Sequence, residues 1–418
     1  MDAQCVRCGA PLPEATRCDE CGAEDIRLAN TRVSLGELDG SMRAWREGFG
    51  MMLAQQQRQL ELLRTARASA FAASQPRLDA LAEAIEGQVG ALGALFEQVG
   101  VSPLPPPRRA PPFNPHMGYV QLLRDWAWSD DAQNSEAARA MVQHGADAQW
   151  GDVLVLGAGA GGLAAELHGR VAKRTVALDL NPLPLLVFDR LCAGVDVDLW
   201  EFPAYPSQPG AWAIRHRLGR PGHADGLETW IADALALPFA TGSFDVVVTH
   251  WFLDRVGRDP ATVASLVHRL LRPGGVWINR GPLLYEGARE WFGRPDIAEA
   301  AAWARALGFE MPDPAADTVD YLNSPWSTQK RREVVYTFAA RKHASEDWLD
   351  DETIPVPKSA TRAAAQSNDP ISAWCARQVD GSRSISRLAQ DIRTKSAMSY
   401  AAAREGVRER LHRSWGRA

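Results

Sequence analysis

The chain has 418 residues, a formal net charge of −5, an apolar fraction of 46% and a charged fraction of 23%. That length exceeds one ordinary domain and predicts two or three, and the composition is that of a globular protein. The acidic balance speaks against whole-molecule affinity for nucleic acid or an anionic membrane, and there is no run of about 18 apolar residues to span a bilayer.

The chain opens Met1-Asp2-Ala3-Gln4-Cys5, without the basic and apolar regions of a signal peptide. Four of the six cysteines form two CxxCG turns, Cys5-Val6-Arg7-Cys8-Gly9 and Cys18-Asp19-Glu20-Cys21-Gly22, with nine residues between Cys8 and Cys18. Each turn presents two thiolates to one ion, and four thiolates favour tetrahedral Zn²⁺ in a closed, structural site. Residues 1–25 therefore read as a zinc ribbon whose metal supplies most of its folding free energy. Thiolate ligands and no signal peptide predict a reducing, cytoplasmic setting.

Residues 31–100 read as helical, with Leu35, Leu38, Met42, Trp45, Phe49 and Met52 at alternating spacings of three and four. The pattern breaks at Ser74-Gln75-Pro76 and resumes through Leu78, Leu81, Ile85, Val89, Leu92, Phe96 and Val99. Two helices hinged near Pro76 are expected, folded as a hairpin or paired as a coiled coil in a homodimer. Residues 101–116, with seven prolines between 103 and 115, form a semi-rigid linker. Residues 117–342 alternate β-branched runs with helical stretches, the mark of an α/β domain. A polar linker spans 343–370, and a small helical unit spans 371–418.

Within the α/β domain, residues 152–156 (DVLVL) read as a buried strand running into Gly157-Ala158-Gly159-Ala160-Gly161-Gly162 and then a helix. Asp179 ends the next strand, 22 residues after Gly157, the distance at which a carboxylate can accept from ribose hydroxyls. That much suits any nucleotide-binding sheet. Asp233 ends a third strand, residues 243–250 (SFDVVVTH) form a fourth, and residues 271–278 (LRPGGVWI) form a turn and a fifth. This series resembles class I S-adenosylmethionine (SAM)-dependent methyltransferases, which implies a seven-stranded Rossmann-like sheet closed by an antiparallel hairpin near 316–341. SAM is then the expected cofactor, held by Gly157, Gly159, Gly161, Asp179 and Asp233.

Residues 274–285 (GGVWINRGPLLY) look like the GGxWINxGPLLY signature of the carnosine N-methyltransferase family. Leu123-Arg124-Asp125-Trp126 is similar to its RDW element, residues 153–164 (VLVLGAGAGGLA) to its VLVPGAGLGRLA, and Phe252-Leu253-Asp254 to its F-x-D. The resemblance covers about 117–342. It implies that Asp254 holds the imidazole of a histidine-containing small molecule or peptide, that Tyr321 lines the same pocket, and that Arg124 and Trp126 close over the cofactor. Tyr285 and Glu286 follow in the signature; Glu286 stands where the family has histidine, and it can add a second acceptor or bind an ammonium group. The family's tyrosine cluster falls on Arg331, Arg332 and Glu333, of which Arg331 is taken as a substrate contact. His250 and Trp251, ending the fourth strand, face the acceptor side in such a sheet.

Each reading has a plainer competitor: a helix cap for Asp254, core packing for Tyr285 and Trp126, and solvated charges for Arg331. The long insertion at 195–227 reads as a lid over the acceptor pocket or as a structural loop. The C-terminal unit loosely resembles small winged-helix domains that dock leader peptides. Its last stretch, 383–418, holds nine Lys/Arg against three Asp/Glu. That face suits an acidic peptide or partner protein, or is merely solvated. A second class of function stays open, a scaffold or nucleic-acid protein acting through ribbon and basic tail. The ribbon reading predicts about one zinc ion per chain in freshly purified protein; elemental analysis finding none would overturn it.

Overall fold

The computed structural model describes residues 18–20, 26–35, 38–97, 118–128, 133–219, 225–255, 260–285, 294–342, 378, 385–395, 399, 402–404 and 406–407. Cys5, Cys8, Cys21, Glu286, both linkers and most of the C-terminal unit lie outside these residues.

In chain order the elements are β1 (Ile26–Leu28), β2 (Thr31–Ser34), α1 (Leu38–Ala68), α2 (Gln75–Phe96), α3 (Tyr119–Trp126) and α4 (Gln133–His144). There follow β3 (Asp152–Leu156), α5 (Gly162–Arg170), β4 (Arg174–Asp179), α6 (Pro182–Cys192), β5 (Val197–Glu201), β6 (Ile214–Leu218) and β7 (Leu227–Ala232). Then come β8 (Phe244–His250), α7 (Pro260–Leu270), β9 (Leu271–Gly281), α8 (Ile297–Ala306), β10 (Phe309–Glu310), β11 (Ala315–Asp320), β12 (Arg332–Lys342) and α9 (Ile385–Lys395).

β3 is buried on both faces because its run Val153 to Leu156 offers no polar side, as a central parallel strand requires. β4 and β7 extend from it on one side and β8 and β9 on the other, all parallel. β12 then returns antiparallel between β9 and β11. The order β7-β4-β3-β8-β9-β12-β11 is the doubly wound sheet expected, with its switch point between β3 and β8.

The sheet is wider than the seven strands expected. It has ten, because β2 pairs parallel with β7, β1 pairs with β2, and the short β10 pairs with the end of β12. The helical reading from residue 31 is corrected at its start: Thr31–Ser34 is a strand and the helix begins at Leu38. Leu35 fits the helical spacing of the residues after it, but Val33 and Leu35 are two apart, the strand period, and an open sheet edge offers this segment backbone partners at Trp230, Ile231 and Ala232. The Thr31 and Thr229 hydroxyls meet at 2.9 Å, and the Arg32 guanidinium lies 4.4 Å from the centre of the Trp230 ring.

α1 and α2 fold back on each other as a hairpin, with Pro76 in the first turn of α2, where a missing N–H costs nothing. Phe49 stacks on Phe96 at 4.1 Å near the base. The ion pairs Arg64–Glu86 and Arg67–Asp79 lie exposed toward the tip and add little. The base of the hairpin joins α3, α4, α5 and α6 in one apolar layer on the sheet; α7, α8 and α9 build the other. α9 contributes Ile385, Leu388, Ala389 and Ile392, one helical face, to the same apolar cluster as Trp277 and Phe338. Buried Cys18 belongs to that cluster as well.

The insertion at 195–227 is a β-hairpin of β5 and β6, separate from the main sheet. It packs on α2, where the Trp200 N–H donates to Gln88 and the Trp200 ring lies against Gly87. Its tip meets the β11–β12 loop, with the Ser207 N–H on the Trp326 carbonyl (2.9 Å) and the Thr328 N–H on that of Tyr205 (2.8 Å). Among the described residues no helix is long and apolar enough to cross a membrane.

His268, buried in α7, is held neutral: burial and then the nearby Lys342 charge depress its pKa to about 3. The unfolded chain binds this proton near pH 6.5 and the folded chain does not. Stability is therefore lost as the pH falls from 6.5 toward 3, by up to about 1.4 kcal/mol per unit. His268→Leu should flatten the fall in urea midpoint between pH 7 and 5; an unchanged dependence would exclude His268 as its source.

Candidate active site

The chain turns from β3 into α5 through three glycines in the left-handed region, Gly157 (φ 70°), Gly159 (φ 55°) and Gly161 (φ 82°). A Cβ on Gly157 would strike the Phe252 ring, and one on Gly161 the Phe188 ring, so only glycine lets these neighbours approach. A Cβ on Gly159, by contrast, would meet no atom within 4 Å. The loop thus presents bare backbone to open space.

Asp179, at the end of β4, accepts the Gly159 N–H through Oδ2 and the Asn181 N–H through Oδ1, both at 2.8 Å. Burial raises its pKa, against those backbone hydrogen bonds. Asp233, just past β7, accepts the Leu235 N–H at 2.8 Å. α3 grips the loop from the far side. Trp126 donates to the Ala160 carbonyl at 2.8 Å and stacks on Phe188, and Asp125 accepts from the Gly162 N–H at 3.0 Å. Trp126 therefore buttresses the loop. Arg124 is buried, and its Nε lies 2.6 Å from Asp125.

A cavity of about 720 Å³ opens at the carboxyl ends of β8 and β9. His250 and Trp251 line it together with Trp128, Glu136, Arg280, Asp317, Asp320, Lys330 and Arg332. His250 is kept neutral, its pKa lowered well below the usual value by burial and then by the charges of Arg124 and Arg280. Trp251 has φ 52°, a strained value for an indole-bearing residue, and its N–H donates to the Arg280 carbonyl. A Cβ at residue 281 would come within 2.8 Å of that nitrogen, so Gly281 is what admits the close approach. The Trp251 ring stacks on Tyr321 at 3.5 Å, and the Arg331 guanidinium covers Tyr321 at 5.3 Å. Tyr321 is buried, which raises its pKa.

Asp254 is 8% exposed and accepts the Leu284 N–H through Oδ2 at 3.0 Å. Its oxygen ties the exit of β8 to the exit of β9. Tyr285 is buried with φ 43°. Among the predicted acceptor residues, His250 and Trp251 line the cavity. Tyr321 stands behind Trp251, Arg331 behind Tyr321, and Asp254 and Tyr285 lie off the cavity wall among the described residues. The sequence reading missed Arg280, Asp317, Asp320 and Lys330. The i, i+3 carboxylates of β11 were the one visible signal.

Residues 206–278, spanning β6 to β9, match the family described as methyltransferase domain. Solved structures similar to the chain include a SAM-dependent methyltransferase from Methanosarcina mazei, at 15% identity over 46% of this chain and 93% of that one, with a TM-score of 0.32. Another is precorrin-6y C5,15-methyltransferase from Geobacter metallireducens, at 16% identity, 52% and 95% coverage, and TM-score 0.33. A third is phosphoethanolamine N-methyltransferase 2 from Haemonchus contortus in complex with SAM, at 15% identity, 54% and 56% coverage, and TM-score 0.35. No curated protein matches the chain.

The residues of the β3–α5 loop and of the ends of β4 and β7 fit SAM. Open backbone at Gly159 leaves room beside the loop, and Asp179 and Asp233 stand at the ends of the two adjacent strands with lone pairs to offer a ribose and an adenine amino group. Asp179→Ala should weaken SAM binding by about 2–3 kcal/mol, the scale of hydrogen bonds to a charged group in a buried site. Calorimetry showing an unchanged affinity would remove Asp179 from the cofactor site.

Proposed function

We propose that this protein is a SAM-dependent N-methyltransferase acting on the imidazole of a histidine-containing small molecule or peptide, bound in the cavity beside β8. The observation that carries the placement is the exit of β8. Within five residues His250 and Trp251 line the cavity, Phe252 rests on Gly157 of the cofactor loop, and Asp254 anchors the β9 exit. Donor and acceptor sites share one short segment, so alignment of the two is set locally, and proximity of this kind is the main catalytic resource for methyl transfer. The imidazole itself is supported by the resemblance of residues 274–285 and of Phe252-Leu253-Asp254 to the carnosine N-methyltransferase family.

SAM, when bound, supplies a methyl group already activated on a sulfonium centre. The chain must hold the acceptor nitrogen with its lone pair toward that methyl. A neutral imidazole is nucleophilic near pH 7 and needs the right tautomer. Asp254 stands off the cavity wall, so in this reading the imidazole reaches past His250 and Trp251 to its carboxylate, which accepts the N–H of one ring nitrogen and steadies the cation that forms on methylation. The stacked Trp251 and Tyr321 rings form the wall behind it, and aromatic faces favour a cation.

Asp254→Asn separates charge from shape, because the amide oxygen still accepts the Leu284 N–H. Turnover on a histidyl dipeptide should fall on the order of 10²-fold with SAM affinity unchanged. Mass spectrometry of histidyl dipeptides and peptides incubated with the enzyme and methyl-labelled SAM tests the class directly. Label on another nitrogen, on oxygen or on carbon would replace the imidazole reading.

A further inference from the structure

The cavity holds a group that neither the cofactor loop nor the imidazole reading uses. Arg280 sits near the end of β9, at a variable position of the signature, and its guanidinium lines the cavity with His250 and Trp251. Its side chain is 9% exposed and fixed at two points, Nη1 donating to the Thr337 hydroxyl on β12 (2.6 Å) and Nη2 to Asp317 on β11 (3.1 Å). The two partners differ. Thr337 is buried, whereas the Asp317 side chain is 60% exposed.

We propose that Arg280 binds the carboxylate of the methyl acceptor, and that Asp317 occupies the same guanidinium edge until an acceptor displaces it. A guanidinium presents a planar fork of donors matched to a carboxylate. Thr337 and burial fix its orientation in advance, so little side-chain freedom is lost on binding. Only the Asp317 end of the pair is exposed, so an incoming carboxylate can take its place on the buried guanidinium while the displaced one regains water. The charges of Arg124 and Arg280 both reach His250, and of the two only Arg280, whose partner is exposed, lines the cavity; Arg124 is paired with buried Asp125. The cavity's other charges are Arg332, paired with Asp320 at 3.3 Å, Lys330, donating to the Ser324 carbonyl, and Glu136, which opposes an anion. The acceptor class is thereby narrowed to compounds with a free carboxylate within reach of the methylated nitrogen, such as a histidine or dipeptide with a free C-terminus. This inference takes the cavity as the acceptor site of the proposed reaction.

The test uses the full-length chain and calorimetry with propionate and its neutral isostere propionamide. Propionate should bind and propionamide should not. Asp317→Asn should tighten propionate binding about 2- to 5-fold, the scale of an ion pair whose acidic end is exposed, and Arg280→Gln should abolish it. Asp317 is exposed, so its variant stays informative even if Arg280→Gln fails to fold. Equal binding of both probes, no propionate binding, or weaker binding by Asp317→Asn would overturn the assignment. Propionate carries no nitrogen to methylate. Propionate binding lost in Arg280→Gln, together with unmethylated histidyl compounds, would refute the imidazole reading alone; methylation of them without propionate binding would refute this one alone.

Discussion

Between Leu156 and Gly162 the backbone leaves the sheet with little support of its own, and side chains from elsewhere in the sequence hold its shape. Asp179 takes the Gly159 N–H, Trp126 donates to the Ala160 carbonyl, Asp125 takes the Gly162 N–H, and the Phe252 and Phe188 rings press where Gly157 and Gly161 have no Cβ. The grip comes from four directions: β4, α3, α6 and the exit of β8. β4 also ends in Asp179, and the exit of β8 brings His250 and Trp251 to the cavity. The loop is thus the joint through which the proposed cofactor carboxylates and the cavity wall are set relative to each other. A change at any of the gripping residues should be felt first as misalignment rather than as unfolding.

The N-terminal region is tied to this arrangement more closely than a separate ribbon would be. β1 and β2 are strands of the same sheet, and β2 lies against β7, the strand that delivers Asp233. Asn30 also donates its N–H to buried Asp189 on α6, at 3.2 Å. Cys18 packs in the apolar layer with Trp230 and Phe239. β1 and β2 thus extend the sheet edge beside the strand that precedes Asp233.

Much of the fold was legible in the sequence because local pattern and tertiary role coincide there. The buried run Val153 to Leu156, the glycines after it and the carboxylates closing β4 and β7 read the same in isolation as in the folded chain. The helical hairpin was legible for the same reason, its apolar stripe meeting one layer. β2 was not, since four residues with one apolar side chain show no period and only the free edge of β7 decides their structure. The site was less legible than the fold. Asp254 meets Leu284 and Arg280 meets Thr337, contacts 30 and 57 residues apart that no spacing rule reports. The Trp126 indole N–H meets the Ala160 carbonyl 34 residues on, another contact that no spacing rule reports.

The rim of the acceptor cavity depends on a buried carboxylate outside the main sheet. Glu201, at the end of β5, accepts from the Trp128 indole (2.9 Å), from His216 (3.0 Å) and from the Ser324 hydroxyl. Burial alone would raise its pKa, yet those hydrogen bonds outweigh burial and hold it below the ordinary glutamate value. A charge kept ionised in a buried place constrains every donor around it, because losing one leaves the carboxylate short of solvation. The three donors come from the segment after α3, from β6 and from the β11–β12 loop, and Trp128 and that loop both line the cavity. The insertion therefore reaches the acceptor site through hydrogen bonds at its base as well as through the contacts of its tip. Its role as lid or brace turns on how firmly Glu201 holds those three segments together.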